Sequence, residues 1–256
     1  PKALAQGCAM QARRLNVSVF SFYLAAFKVL LNHYNGQQDQ VIGVPVANRN
    51  QPGSEQRIGF YVNLLCYRSS LEPHNSFAQF AQQIHRQSSQ NLYHQQLPFD
   101  ELVQALNPSR AANLSPLFQV MFAMQQQEAN EQILPNAVLA RPRQLDNGTA
   151  KYDLTLQLWD EDWGLEGELE YASSLFCEEA MQRLTDSFAY LLTQLSGDPQ
   201  QPVSSLKLLS VVQRQQILAW NQTARPFTDN CGIHELIRRQ ALKTPTNTAL
   251  VFQQEQ

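Results

Sequence analysis

Residues Arg57 to Met124 contain three motif-like pieces on which the prediction of the fold rests. In chain order they read Ile58-Gly59-Phe60-Tyr61-Val62-Asn63, His94-Gln95-Gln96-Leu97-Pro98-Phe99-Asp100 and Leu114-Ser115-Pro116-Leu117-Phe118-Gln119-Val120-Met121-Phe122. The first places an amide in an apolar, strand-like run, the second ends one helix and begins another at a proline, and the third leads from a proline into an apolar strand. A buried amide costs a few kcal/mol unless it is hydrogen-bonded, so Asn63 requires a partner or a function.

Outward from this stretch towards the N-terminus, the pattern predicts two helices and a strand. The helices cover 3–15 and 16–34, and the second has Ser18 as its N-cap and ends at Asn35-Gly36. Apolar residues at helical spacing form the predicted buried face of the second helix: Phe20, Tyr23, Leu24, Phe27, Leu30, Leu31 and Tyr34. The apolar run Val41 to Val46 predicts a strand, and the polar loop Ala47 to Arg57 separates it from a second strand predicted over Ile58 to Arg68.

Further along the stretch, the pattern predicts two more helices and a third strand. Ser76 caps the first of these helices, whose predicted buried face is Phe77, Phe80, Ala81, Ile84, Ser88 and Leu92, with His85 exposed. Pro98 suits the first turn of the next helix, which extends to Leu106. Leu117 to Met124 is the third predicted strand.

The remainder of the chain begins with a loop, Gln125 to Ala150, that has no hydrophobic period. A loop of this length inside a compact domain is typically functional. Alternating apolar residues then predict a hairpin of two strands, 152–158 and 165–171, before a helix over Cys177 to Ser196. After Gln200 the composition shifts, and a short helix to Trp220, a polar linker, a helix over Ile233 to Leu242 and a strand over Thr248 to Phe252 are predicted.

Composition limits the classes of protein that the chain can represent. Its 256 residues, 43% of them hydrophobic and 16% charged, suffice for one large domain or for a domain plus part of another. A net charge of −3 argues against nucleic-acid binding, and no apolar run approaches the roughly 20 residues that span a bilayer. The four scattered cysteines favour reduced thiols and a cytoplasmic location. The first and last residues suggest that the chain is a piece of a longer polypeptide.

The general motifs of enzymes and metal sites do not occur in the sequence. It contains no phosphate-binding glycine loop, no Gly-x-Ser-x-Gly elbow and no His-Glu-x-x-His. The five histidines never stand at the spacing of metal ligands, so we expect no metal site.

The three motifs, in their order, resemble the C-terminal half of a nonribosomal peptide synthetase condensation domain. The family pattern is roughly Gly-Phe-Phe-Val-Asn-Thr, His-Gln-Asp-x-Pro-Phe-Glu and Arg-Asp-x-Ser-x-x-Pro-Leu-Phe-Gln-Val. Two departures occur, because Gln96 stands where Asp is usual and residues 110–115 loosen the third motif. The resemblance covers about residues 1 to 225, and the tract from Trp220 to Pro245 resembles the join to an adenylation domain.

The resemblance implies an α/β fold: a chloramphenicol-acetyltransferase-like lobe in which helices pack on a mixed sheet. It implies amide-bond formation between aminoacyl and peptidyl thioesters, carried on the phosphopantetheine arms of upstream and downstream carrier proteins. The family's catalytic motif, His-His-x-x-x-Asp-Gly, does not occur in this sequence. We therefore expect no catalytic residue and no directly bound cofactor here, and an N-terminal condensation lobe and an adenylation domain as partners.

Site residues follow from the same resemblance. The candidates for lining the substrate tunnel are Asn63, Tyr61 and Gln95. Asn48 and Arg49 belong to the family's floor loop, which matches Ala47 to Arg57, and Gln125 to Ala150 matches the latch that crosses to the other lobe. Two interpretations of Asn63 stand: a tunnel-facing group that orients a thioester or pantetheine amide, or a structural amide that pins its strand.

The predicted domains are the C-terminal condensation lobe over 1–205, a linker over 206–230 and the start of an adenylation domain over 231–256. Two alternatives have the same fold: a non-catalytic lobe that docks carrier proteins, and an acyltransferase that uses coenzyme A. The adenylation-like join disfavours the second. Among related domains, the pair Val62-Asn63 disfavours an epimerisation domain, whereas a heterocyclisation domain is excluded less firmly.

Overall fold

The computed structural model describes residues 1–54, 56–108, 115–126, 132–134, 138–140, 148–161, 164–225 and 231–252. Seven α-helices occur within them: α1 (Lys2–Arg14), α2 (Val19–Asn35), α3 (Phe77–Tyr93), α4 (Phe99–Leu106), α5 (Glu178–Gly197), α6 (Val211–Trp220) and α7 (Ile233–Lys243). The strands of these ranges are β1 (Asp39–Val46), β2 (Asn63–Ser70), β3 (Val120–Gln126), β4 (Gln132–Leu134), β5 (Val138–Ala140), β6 (Leu154–Glu161) and β7 (Gly164–Tyr171). The helices predicted from the sequence are confirmed to within a few residues.

Five strands form one mixed sheet in the order β2-β1-β3-β6-β7. The central pairs, β1 with β3 and β3 with β6, are parallel, whereas the outer pairs, β1 with β2 and β6 with β7, are antiparallel. The predicted hairpin of residues 152–171 is therefore confirmed as β6–β7. This order makes β2 an edge strand, and β2 begins with the last residue of the first motif, Asn63.

Helix α2 lies at the centre of the core. Ser18 caps it by accepting a hydrogen bond from the Ser21 N–H, and Gly36 ends it in the left-handed conformation, as predicted. Every residue from Ser21 to Leu30 is buried, because α3 and α5 pack beside the helix and the sheet lies under it. Tyr34 is half exposed, so its predicted place on the buried face is wrong: the helix extends past the sheet at this end.

The sheet presents one face to the helices through alternate residues of its strands. Ile42 and Val44 of β1 and the three leucines Leu154, Leu156 and Leu158 of β6 are buried in the core. The inner face of α5 completes this core with six buried residues: Met181, Leu184, Phe188, Leu191, Leu192 and Leu195. Burial of alternate strand residues against helices defines a two-layer α/β lobe.

The second strand begins five residues later than predicted, at Asn63 instead of Ile58. Its partner β1 ends at Val46, which pairs with Asn63, and the chain then enters the loop 47–57. Residues 58–62 therefore have no strand to pair with among the described residues. Phe60, predicted to lie within a strand, is 97% exposed.

Four smaller predictions are also corrected. Leu92 is exposed, because it lies in the last turn of α3 beyond the edge of the core, and His85 is half buried against the start of α2. The loop Gln125 to Ala150 is not wholly irregular, since β4 and β5 pair in it as a short antiparallel hairpin. The rest of that loop lies outside the described residues, apart from 125–126 and 148–150. Residues 248–252 form no strand ladder with any described residue.

The chain divides into two compact units, Pro1–Ser210 and Val211–Gln256. The first contains the five-stranded sheet and its helices, and the second contains α6 and α7, neither of which has a buried residue. Among the described residues, no single helix is long and apolar enough to cross a membrane. Only α1 and α2 taken together reach the required length and composition, and they are bent by 105° where they meet.

Candidate functional site

A turn between α3 and α4, residues 94–98, is held in place by the side chain of Asn63. The Asn63 amide group donates to the carbonyl oxygens of Gln95 (2.9 Å) and Leu97 (2.6 Å). Its Oδ1 accepts a hydrogen bond from the N–H of Phe99 (3.1 Å). Both amide hydrogens and the carbonyl oxygen of Asn63 therefore have partners in the second motif. These three hydrogen bonds join the first motif to the second.

The sequence explains why this turn needs an external partner. The first N–H groups of a helix have no partner within the helix and are normally capped by a side chain. At α4 the N-cap position is Pro98, which makes no side-chain cap. Asn63, distant in sequence, accepts from the first N–H of α4 instead. These bonds support the interpretation of Asn63 as a structural amide. The predicted action of Asn63 on a substrate stays a prediction.

The third motif contacts the second through a cluster of aromatic rings. The ring of Phe118 is 5.6 Å from that of Phe99 and 5.4 Å from that of Tyr152, centroid to centroid. The same ring covers Gly43 in β1, where an added Cβ would overlap it. Phe118 is buried and occupies the space that a side chain at position 43 would fill. All three motifs therefore meet beside the ends of β1, β2 and β3, in an arrangement that we call the motif junction.

The predicted floor loop, 47–57, is organised by Arg49. Its guanidinium lies 4.3 Å from the centre of the Tyr61 ring and donates to the carbonyl oxygens of Ser54 and Arg57, the latter at 2.9 Å. Asn48 has a positive φ of 51°, a conformation that asparagine tolerates better than most residues. Arg49 and Tyr61 therefore shape the loop beside the motif junction, and Gln95 contributes its backbone carbonyl to that junction.

Lys28 is the residue that sequence reasoning missed. It lies in the middle of α2 with an exposed fraction of 0%. Its Nζ donates to the carbonyl oxygens of Gln40 in β1 (3.1 Å) and Tyr67 in β2 (2.7 Å). Burial lowers the pKa of this amine from 10.5 to about 7, and Asp39 offsets only part of that effect. The available signal was its position inside an unbroken apolar run, from which the lysine stem cannot reach water.

The pKa shifts of three further groups are explained by burial or by an ion pair. Burial raises the pKa of the Cys8 and Cys66 thiols to about 11. The Arg68 guanidinium, which donates to both carboxylate oxygens of Asp39, holds the pKa of that carboxyl below its ordinary value. Within the described ranges, no group of His, Cys, Asp and Glu residues could hold a metal ion.

An apolar cavity of about 190 Å³ lies apart from the motif junction, between α1, α5 and the hairpin β6–β7. Leucines and Phe188 form most of its wall, to which Glu168 and Thr185 contribute polar side chains. None of the predicted site residues lines it.

Comparison with known proteins identifies the fold and the family. Residues 2–218 match the Condensation domain family, so the chain belongs to that family. Its similar curated relatives include Malpinin synthetase of Mortierella alpina, 37% identical over 95% of this chain and 3% of that protein. Surfactin synthase subunit 1 of Bacillus subtilis (strain 168) is 35% identical over 95% of this chain and 7% of that protein. Tyrocidine synthase 3 of Brevibacillus parabrevis is 31% identical over 99% of this chain and 4% of that protein. The chain thus spans only a small part of each relative.

Two solved structures share the fold of this chain. A four-domain nonribosomal peptide synthetase bound to AMP and glycine superposes with a TM-score of 0.83 at 21% identity, over 96% of this chain and 20% of that one. The condensation domain of the Monacolin K polyketide synthase MokA gives a TM-score of 0.70 at 22% identity, over 79% of this chain and 47% of that one. The predicted chloramphenicol-acetyltransferase-like α/β class is therefore confirmed.

Proposed function

We propose that the chain is the C-terminal half of a condensation domain, which joins carrier-bound aminoacyl and peptidyl groups in nonribosomal peptide synthesis. The observation that carries this proposal is the motif junction, in which Asn63 and Phe118 bring all three family motifs to one place. The coverage of the MokA condensation domain supports the assignment to one half, because most of this chain corresponds to 47% of that chain.

The reaction proposed for the complete domain is acyl transfer to an amine. The amine nitrogen of one substrate forms a bond to the thioester carbon of the other, the carbon–sulfur bond breaks, and the amine proton leaves as the thiol of the donor arm is regenerated. Thiolates leave readily, so the main requirement is positioning of the two reactants. In this proposal the chain holds one wall of the substrate tunnel, with Asn63, Tyr61 and Gln95 lining or shaping it, and the other half supplies the proton-transfer group.

The proposed partners are the N-terminal half of the domain, the upstream and downstream carrier proteins with their phosphopantetheine arms, and an adenylation domain. The floor loop and the loop Gln125 to Ala150 are the elements assigned to contact the other half. Residues 231–256 are assigned to the start of the adenylation domain, 206–230 to the linker and 1–205 to the condensation lobe. A cytoplasmic location stays a prediction.

The proposal is tested by assaying condensation with each half alone and with both. Aminoacyl and peptidyl carrier proteins are incubated with residues 1–256, with the N-terminal half, or with the two together, and the product is measured by intact-protein mass spectrometry. We expect dipeptidyl carrier protein only from the combination. Residues 1–256 alone should also activate no amino acid with ATP.

The outcomes separate the alternatives. Product from residues 1–256 alone would contradict the half-domain assignment and require a base among the five histidines His33, His74, His85, His94 and His234. Carrier-protein binding without product from the combined halves would favour the docking lobe. Transfer from coenzyme A thioesters in place of carrier proteins would favour the free-standing acyltransferase.

Asn63→Ala is the variant that tests the motif junction. With both halves present, we expect kcat to fall by on the order of 100-fold, since losing one oriented group in an active site typically costs about 3 kcal/mol of barrier. We also expect a loss of stability of about 1 to 3 kcal/mol, because the partners of the amide are left unpaired. Kinetics with a carrier-bound amine and thermal unfolding measure the two effects.

The matched control is Asn91→Ala, which also removes an amide bound to a backbone carbonyl, that of Cys66 at 3.4 Å, and leaves the backbone bonds of the turn 94–98 in place. It should lower stability without a comparable loss of kcat. Unchanged kcat in Asn63→Ala, together with a lower melting temperature, would show that Asn63 is purely structural.

A further inference from the structure

Residues 58–62, which we call the exposed segment, include the two most exposed large apolar side chains among the described residues of the first unit. The exposed fractions are 105% for Ile58, 97% for Phe60 and 51% for Val62. Between Phe60 and Val62, the half-buried Tyr61 ring lies against the guanidinium of Arg49. Ile58, Phe60 and Val62 are exposed at every second position. This alternation is typical of a β-strand whose one face packs against a partner.

The backbone of the exposed segment is also unpaired. It belongs to no ladder, and no hydrogen bond joins it to another described residue. Two nearly fully exposed hydrophobic side chains beside free backbone groups form a template for pairing with a further strand. The residues from Ile58 to Val62 thus have the alternation of the predicted strand, but they pair with no strand among the residues that the structure describes.

Both ends of the exposed segment are fixed. On one side, the carbonyl oxygen of Arg57 accepts from Arg49, and on the other, Asn63 is held by its three bonds to the turn 94–98 and the start of α4. A segment anchored at both ends loses less conformational entropy on binding than a free one, so it is preorganised for a partner.

We propose that the exposed segment is the surface on which the N-terminal half of the condensation fold pairs, through an apolar strand or loop edge that covers Ile58 and Phe60. This inference rests on the proposed function. Two observations select that occupant. The segment continues directly into Asn63 and the motif junction, and this chain corresponds to only 47% of the MokA condensation domain, so a further half of similar size belongs to the fold.

The experiment measures binding of a separately produced N-terminal half to residues 1–256. Ile58→Ser and Phe60→Ser should each raise the dissociation constant by about 30-fold or more. This is the loss of affinity expected for an apolar residue central to an interface. Leu175→Ser is the matched control, because Leu175 is 60% exposed but lies between β7 and α5. It should leave the dissociation constant unchanged. Hydrogen exchange provides a backbone readout: the amides of 58–62 should become protected when the second half is added.

The results distinguish failure of this inference from failure of the proposed function. Binding and condensation that are equal in the wild type, Ile58→Ser and Phe60→Ser would overturn the inference and leave the function standing. The N-terminal half could bind residues 1–256 tightly, lose that binding in Phe60→Ser, and yet give no condensation with the wild-type chain. That result would support the inference and refute the proposed function. Self-association of residues 1–256 that Phe60→Ser abolishes, with no protection by the other half, would assign the segment to a second copy and overturn the inference.

Discussion

Raising the pH from 7 to 9 is expected to increase the free energy of unfolding by about 2 kcal/mol through Lys28 alone, since each pH unit contributes about 1.4 kcal/mol once the unfolded chain binds a full extra proton, and less close to pH 7. The folded chain holds this amine with a pKa of about 7, compared with its ordinary value of 10.5. Between these values the unfolded chain binds the additional proton, so stability rises with pH. Well below pH 7 both states are protonated and the contribution no longer changes.

The physical cause is the removal of Lys28 from water without a counter-charge. Its ammonium contacts two backbone carbonyls, of Gln40 and Tyr67, and among the described residues no carboxylate forms an ion pair with it. Carbonyl oxygens replace only part of the hydration of an ammonium group, so the neutral amine is favoured. The same contacts tie α2 to β1 and β2, the two strands that frame the floor loop.

Chemical denaturation at pH 7, 8 and 9 measures this slope in the wild type and in Lys28→Met, which keeps a long side chain without the titrating amine. The rise in stability with pH should disappear in Lys28→Met and persist in the control Lys207→Met, whose side chain is exposed. The measurements stop at pH 9 because of the buried thiols Cys8 and Cys66. Their pKa is near 9.0 in the unfolded chain and about 11 in the folded chain, so at higher pH they lower stability and oppose the effect of Lys28. An equal slope in Lys28→Met would show that other groups cause it.

Substitution of Gly43 by valine is expected to lower the free energy of unfolding by about 3 kcal/mol, the upper part of the range for overfilling a packed core. The Phe118 ring occupies the position of the missing side chain. Strand β1 cannot shift to relieve the overlap, since it is paired with β2 on one side and with β3 on the other. The ring must move instead, which separates it from Phe99 and disturbs the motif junction.

A double-mutant cycle tests this explanation. Phe118→Ala alone should cost about 3 to 5 kcal/mol, as for other large-to-small changes of a buried phenylalanine. Combined with Gly43→Val it should cost less than the sum of the two, because the added side chain then fills vacated space. Gly197→Ala is the control, since nothing lies within 4 Å of an added Cβ there. Additive losses in the double variant would mean that Gly43 and Phe118 act independently.

The sequence predicts the helices and most strands well, because local patterns determine them. Ser18, Ser76 and Gly36 mark helix ends through short-range bonds, and the alternating leucines of β6 reveal their strand without knowledge of its partner. The limits of β2 are different, since the run 58–62 has the composition of a strand but pairing requires a neighbour, and β1 ends at Val46.

The candidate site shows the same division. The sequence singles out Asn63, because an amide in an apolar run demands a partner. Its partners, the carbonyls of Gln95 and Leu97 and the N–H of Phe99, lie 32 to 36 residues away in the chain and follow only from how α3 and α4 pack on β2. His85 is a parallel case, expected to be exposed but packed against the start of α2.

The amino-acid sequence was sufficient to locate the helices and most strands, the apolar faces of those elements and the three motifs that mark the family. Those features depend on residues within one or two turns of each other. Only the packing of distant segments places the Nζ of Lys28 against the carbonyls of Gln40 and Tyr67, puts Phe118 over Gly43, and leaves Ile58 and Phe60 uncovered. The reason is that burial is a property of neighbours brought together from distant parts of the chain.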